Sequence, residues 1–206
     1  MSYIIDIITG GHRATSIKSC EAAVRRLRNT DGFESCAIFT LERNLRDAHY
    51  DHLVVYTFHN GHDRQRAAGS GLLPPVDSDS PIERTFCKLE NRLGELREQA
   101  AGDIWLINPF EITDAEIPGV LDMWDKAKDH MIAKPGFISA RLFRVENRSS
   151  RYGLVNVAHW RSADLFMQAL NDKAYDVHRA KSQNYKLHPS LCTLEKMYLG
   201  EVAAFG

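Results

Sequence analysis

"DGFESCAIF" at 31–39 and "PGFISARLF" at 135–143 decide how this chain is read. Gly, Phe, Ser and a closing Phe recur at the same places, half a chain apart in 206 residues. The likeness extends outward. "GFESCAIFTLERN" (32–44) runs on to "HYDHLVVYTFHNGHD" (49–63), and "GFISARLFRVENR" (136–148) runs on to "RYGLVNVAHWRSAD" (151–164), so that a gap of two residues brings Tyr50 onto Tyr152 and Phe58 onto Trp160. Each pair alternates apolar and polar residues about a turn of Asn, Arg, Asp and Ser, which predicts a β-hairpin in each half.

The elements ahead of the hairpins repeat as well. "SYIIDIIT" predicts a strand, followed by Ile17, Cys20, Val24 and Leu27 at helical spacing. "DIWLINPFEI" predicts another strand, followed by Ile117, Val120, Leu121, Trp124, Ala127 and Met131 on one helix face. Asp114 is placed to cap that helix, Glu116 suits its first turn, and Pro135 with Gly136 ends it. After the second hairpin come a short helix, "SADLFMQALND", a broken helical stretch, and a last strand in "HPSLCTLEKMYLG". The second half therefore reads β-α-β-β-α-β, a ferredoxin-like unit.

The first half departs after its hairpin. "AAGSGLLPPVDSDSP" (67–81) predicts a long irregular loop. Ser80, Pro81 and Glu83 then form a capping box ahead of Ile82, Phe86, Leu89, Leu93 and Leu96, predicting an extra helix over 81–100. The expected organisation is α+β: a degenerate ferredoxin-like unit at 1–100 and a second ferredoxin-like unit at 103–206. Such a unit has one bare apolar sheet face, and two tandem copies stacked face to face would cover both.

Composition excludes several classes. The chain is 44% hydrophobic and 26% charged with a net charge of −1, acids and bases being mixed throughout, so no surface for nucleic acid or an anionic membrane is implied. "RRLR" at 25–28 reads as a solvated helix face. The opening "MSYIIDIITGG" has neither the basic leader of a signal peptide nor the length of a membrane span, and a cytoplasmic location is the expectation. Cys20, Cys36, Cys87 and Cys192 show no metal or redox spacing and read as buried, reduced thiols. "TGGHRATS" (9–16) does not match a dinucleotide fingerprint. His49 and His52 fall on opposite strand faces, against a shared metal, and His188 with Pro189 reads as a structural strand entry.

Four segments, "INPFEI" (107–112), "PGFISARLFR" (135–144), "RYGLVNVAHWRSADLF" (151–166) and "HPSL" (188–191), resemble in order and spacing the antibiotic biosynthesis monooxygenase (ABM) family of the dimeric α/β barrel superfamily. The resemblance covers about 90 residues of the second half and reaches the first half only through the likeness between the two. It implies two tandem ferredoxin-like units packed as a pseudo-dimeric α/β barrel. It further implies either oxidation of polycyclic aromatic or polyketide-like substrates by O2 without metal or flavin, or binding and degradation of haem. A non-catalytic ligand-binding barrel is a third reading, and two such chains could pair again as a homodimer.

The haem branch uses an Asn on the first strand, a Trp in the short helix and a histidine as iron ligand. Asn108 matches the first, Ala169 stands at the Trp position, and His178 lies near the histidine position. Cofactor-free oxygenation instead needs a base and donors that stabilise an enolate or phenolate. Asn108 shares a strand face with Leu106 and Phe110, and Asn156 shares one with Leu154, Ala158 and Trp160, so this pair forms a polar spot in an apolar setting. Asn108, Asn156, Trp160 and Arg141 are the candidate donors, and His159 or His178 the candidate base. His159 and Trp160 point to opposite faces, so only one of them can line an enclosed pocket.

Overall fold

A short isoleucine-rich apolar run sets β1 (Ser2–Ile8), whose seven residues are all buried, and helical spacing sets α1 (Arg13–Leu27) behind it. β2 (Phe33–Asn44) and β3 (His52–Phe58) form the first hairpin, followed by α2 (Gly61–Gly69) and β4 (Ile82–Gly94). The second half contains β5 (Ile104–Glu111), α3 (Ile117–Ile132), β6 (Phe137–Val145) and β7 (Leu154–Trp160). It continues with α4 (Ala163–Leu170), a 3-10 turn at Lys173–Tyr175, α5 (Asp176–Ser182), β8 (Lys186–Leu187) and β9 (Ser190–Leu199). These elements come from a computed structural model that describes residues 1–10, 13–76 and 80–201.

The fold is α+β, and its strands pair antiparallel. Two compact units divide the chain: residues 1–41 with 49–89 and 194–206, and residues 42–48 with 90–193. The division thus falls at 89/90 rather than between 100 and 103, and two short segments belong to the unit other than the one their half of the sequence suggests.

In the first unit β1 lies between β3 and β4, and β3 pairs with β2. Its core gathers Ile4, Ile8, Val24, Leu27, Ile38, Tyr56 and Phe58. In the second unit β5 lies between β7 and β9, and β7 pairs with β6. One core cluster there centres on Phe110, Val120, Leu142 and Leu154, and another on Ala158, Trp160 and Phe166.

The two hairpins share their irregularities. Each carries a bulge between its first Phe and the Ser two residues on, Phe33/Ser35 and Phe137/Ser139, preceded by a glycine at φ +80 (Gly32) or φ +91 (Gly136). A Cβ would stand 2.2 Å from the Asp63 side chain at Gly32 and 2.7 Å from Leu165 at Gly136, so the left-handed turn and the close approach of the following helix both require glycine. The carbonyls of Gly32 and Gly136 accept from the N–H of His59 and Arg161, each at 2.8 Å. The last strands correspond too: Thr85 and Cys87 of β4 pair with Ile5 and Tyr3, as Ser190 and Cys192 of β9 pair with Ile107 and Trp105.

Three local expectations are corrected. Residues 82–94 form a strand, not part of a helix over 81–100. The spacing of Ile82 and Phe86 equals two full strand periods as well as one helical turn, while Leu89 and Leu96, which completed the helical stripe, are exposed. The free edge of β1 and its buried Asp6 decide the matter, because β4 supplies the backbone partners and Arg84 donates to both Asp6 oxygens at 2.8 and 2.7 Å. The loop also begins later than 67: Asn60 accepts from the N–H groups of His62 and Asp63 and starts α2, which ends at Gly69. Residues 77–79 of that loop lie outside the described residues. Finally, the box before α3 is closed by Thr113 and Glu116, with Thr113 N–H and hydroxyl both donating to Glu116 at 2.8 Å, and not by Asp114.

All four cysteines are buried and none forms a disulfide. Burial pushes the Cys20 thiol to about 11 and the Cys192 thiol to about 12, so neither is a nucleophile near neutral pH. Among the described residues no helix is long and apolar enough to cross a membrane.

Candidate functional site

A cavity of about 330 Å³ lies within the second unit, between the inner face of β5, β6 and β7 and the helices α3, α4 and α5. Its floor follows from strand alternation. Leu106, Asn108 and Phe110 of β5, Ala140 of β6, and Asn156, Ala158 and Trp160 of β7 all face it, and Phe166 of α4 and Trp124 and Met131 of α3 close it. Asn108 stands directly opposite Asn156 in the β5–β7 register, which sets the two amides side by side on one face.

Each asparagine is oriented by a bond that occupies its oxygen. Asn108 Oδ1 accepts from the N–H of His188 at 3.0 Å, and Asn156 Oδ1 accepts from Trp124 Nε1 at 3.4 Å. The two Nδ2 groups have no protein partner among the described residues. Trp160 is 1% exposed, its ring is wedged edge-on against Phe137 and Phe166, and its indole N–H is buried without a partner among the described residues. Two amide groups therefore face an otherwise apolar floor, each with one lone pair of its oxygen engaged, and the indole adds a third donor two strand periods along β7. Of the three, the indole N–H is buried outright, and a buried donor left unpaired costs about 1–3 kcal/mol.

His178 of α5 also lines the cavity, with its Nδ1 buried and unpartnered among the described residues. Burial, then the neighbouring charges of His130 and Lys181, hold its pKa below the ordinary histidine value, so the ring is neutral at pH 7 and able to take a proton. His130 and Tyr175 pack around it, with ring centroids 6.4 and 5.4 Å away.

Asn108, Asn156, Trp160 and His178 are thus brought together, whereas His159 and Arg141 are not. His159 points to the opposite face of β7, stacks on Trp105 at 4.2 Å and bonds Asp103 at 2.9 Å. Burial lowers its pKa. Burial alone would raise Asp103, but Ala100 N–H, His159 and Arg97 hold it below the usual carboxylate range. This buried pair ties the approach to β5 to β7 and is not part of the lining of this cavity. Arg141 alternates away from the lining residue Ala140 for the same reason. His188 is 1% exposed and lies between Asp47 O at 2.8 Å and Glu111 Oε2 at 3.0 Å.

The residues do not fit a haem. Ala169 packs in the core beside Phe166 and offers no indole to press on a macrocycle, and a volume near the lower end of the about 300–1,000 Å³ typical of small-ligand sites is tight for a porphyrin. The sequence reading passed over Trp124 as a partner for Asn156, Phe166 as a wall, and Arg46 at the rim. Trp124 was legible as a core-facing helix residue, whereas Arg46, in a hairpin turn, carried no periodic signal.

No protein-family model matches the chain, and no curated protein matches it in sequence. Solved structures do match in fold. One is an anthrone oxidase-like protein, 13% identical, with a TM-score of 0.71 over 98% of this chain and 94% of that one. Another is a candidate monooxygenase from Fusobacterium nucleatum, 9% identical, with a TM-score of 0.65 over 96% of this chain and 93% of that one. A third is a candidate monooxygenase from Lactobacillus acidophilus, 10% identical, with a TM-score of 0.61 over 97% and 96%. At such identities the likeness establishes a shared fold.

Proposed function

We propose that the chain is an oxygenase of the ABM type that oxidises a hydrophobic aromatic or polyketide-like small molecule with O2, without metal or flavin. The single observation that carries this reading is the trio of unpaired donors, Asn108 Nδ2, Asn156 Nδ2 and Trp160 Nε1, on the floor of an apolar cavity. The fold shared with an anthrone oxidase-like protein and with candidate monooxygenases supports it. We also read the two units as one duplicated ferredoxin-like unit, a tandem pseudo-dimer. Their matched bulges, glycines and final-strand registers support that reading.

The chemistry follows from the site. For an anthrone, His178 takes a proton from the carbon opposite the carbonyl, and the electron pair moves onto the carbonyl oxygen. The resulting phenolate is held by the two asparagine amides and the indole, which stabilise charge that appears only after proton loss. The electron-rich anion gives one electron to O2. The radical and superoxide then join, forming the carbon–oxygen bond of a peroxide, and this takes a proton and loses water to leave a second carbonyl. In sum, anthrone plus O2 gives anthraquinone plus water.

Dithranol, a 1,8-dihydroxyanthrone, tests this through O2 uptake and quinone formation in the presence of EDTA. The protein is expected to accelerate both above the rate in buffer, and Asn108→Ala or Asn156→Ala each to lower kcat by about 10²-fold, the usual loss for one oxyanion donor. Rates equal to buffer, or variants as active as the parent, would refute the reading. Tight binding without O2 uptake would assign the cavity to a non-catalytic ligand instead.

A further inference from the structure

The rim of the cavity differs in chemistry from its floor. Arg46, Lys128 and Arg179 all line it, and no Asp or Glu does. The carboxylates that pair two of these cations lie outside the lining: Asp125 on Lys128 and Asp176 on Arg179, each one turn away on the same helix and more than half exposed. Exposed pairs of this kind contribute about 0–1 kcal/mol and leave both cations free to turn toward a ligand. Arg46 is different, because both its terminal nitrogens donate to backbone, Nη2 to Tyr185 O at 3.0 Å and Nη1 to Ser182 O at 3.5 Å. Those carbonyls fix the guanidinium without neutralising it.

Carbonyls at and just beyond the end of α5 attract a cation by themselves, which accounts for Arg46 alone. It does not account for Lys128 of α3 and Arg179 of α5 lining the same cavity. We infer that the ligand of this cavity is an acid: an aromatic body on the apolar floor, with a carboxylate at the rim held by Arg46, Lys128 and Arg179. This rests on the reading of the cavity as an aromatic substrate site and adds the charge of the substrate to it. The arrangement also makes chemical sense of the floor. An amide and indole trio suits an oxygen that is neutral until the proton leaves, whereas a permanently ionised carboxylate is better met by full charges near water.

Two matched quinones separate the possibilities: rhein, a 1,8-dihydroxyanthraquinone with a 3-carboxylate, and aloe-emodin, the same body with a neutral 3-hydroxymethyl. Both are titrated against the full chain by quenching of tryptophan fluorescence, Trp124 and Trp160 being cavity residues. Rhein is expected to bind about tenfold more tightly at low salt, as one well-placed charge interaction allows. Arg46→Gln/Lys128→Gln/Arg179→Gln should abolish the preference, while Arg46→Lys retains most of it. Unchanged aloe-emodin binding in the triple variant shows the cavity intact. Equal affinity for the two quinones in the parent, or a preference that survives the triple variant, overturns the acid subsite and leaves the oxygenase reading standing. A tenfold preference for rhein beside dithranol rates equal to buffer keeps the subsite and refutes oxygenation. Quenching by neither quinone removes the aromatic site and this inference with it.

Discussion

Tyr56 and Ala158 hold the same place in two sheets of the same strand order. Ile4 pairs with Tyr56 as Leu106 pairs with Ala158, and the neighbouring pairs correspond in the same way: Asp6 with Val54 against Asn108 with Asn156, and Ser2 with Phe58 against Ile104 with Trp160. In the first unit the phenol ring, fully buried, fills the space beneath α1, and Asp6 is claimed by Arg84. In the second unit a methyl group leaves that space open, and the amide at the Asp6 position spends its oxygen on His188 and keeps its amine free. One strand order can thus be filled or hollow according to a few inward residues, and the cavity described lies in the second unit. The contrast locates function in side-chain volume and hydrogen-bond saturation, since the backbone is alike in both.

The strongest way to break the contrast is to seal the second copy. Ala158→Tyr is expected to eliminate aloe-emodin binding and return dithranol oxidation to the buffer rate, at a stability cost of about 1–3 kcal/mol for overpacking. Quinone titration and a thermal melt check both halves of that statement. A variant that binds as before would show that the ligand lies elsewhere.

Next in size is the ion pair that closes the first copy. Arg84→Met leaves Asp6 buried and uncompensated and should cost about 3–5 kcal/mol, lowering Tm by about 10 °C, with dithranol oxidation retained below the melt. Combining it with Asp6→Leu should restore much of the loss. A melt unmoved by Arg84→Met would mean that Asp6 is neutral and self-sufficient.

The smallest effect sharpens the role of the open copy. The pKa of His178 is held below 6.5, and a base acts in its neutral form, so kcat/KM for dithranol should be flat at pH 7 and fall only as pH drops through a midpoint below 6.5. His178→Gln should lower the rate and remove that limb. A midpoint at or above 6.5, or a limb that persists in the variant, assigns proton transfer to another group.

Much of this arrangement was legible in the residues. The strand–helix–hairpin order could be read twice because turn glycines and alternation are local, and counting in twos sets Asn108 with Leu106 and Phe110 on one face of its strand and Asn156 with Ala158 and Trp160 on one face of the other. The strand at 82–94 could not, because apolar residues four apart satisfy helix and sheet alike, and the edge of β1 that chooses between them is far away in sequence. His159 and Trp160 could be assigned to opposite faces but not to particular ones; the stacking of His159 on Trp105 and its bond to Asp103 decide which face is which. Arg46 lay beyond sequence reasoning for a related reason, since its meaning depends on carbonyls about 140 residues downstream.

The engagement of both asparagine oxygens by neighbouring N–H groups has one more consequence. With one lone pair of each oxygen engaged and three N–H groups unmatched, the floor asks for lone pairs more than it offers them, so an analogue presenting an ammonium or anilinium in place of a carbonyl is the poorer match. Discrimination against nitrogenous mimics is therefore inherent in how the amides are anchored, and it operates even on molecules of the right outline.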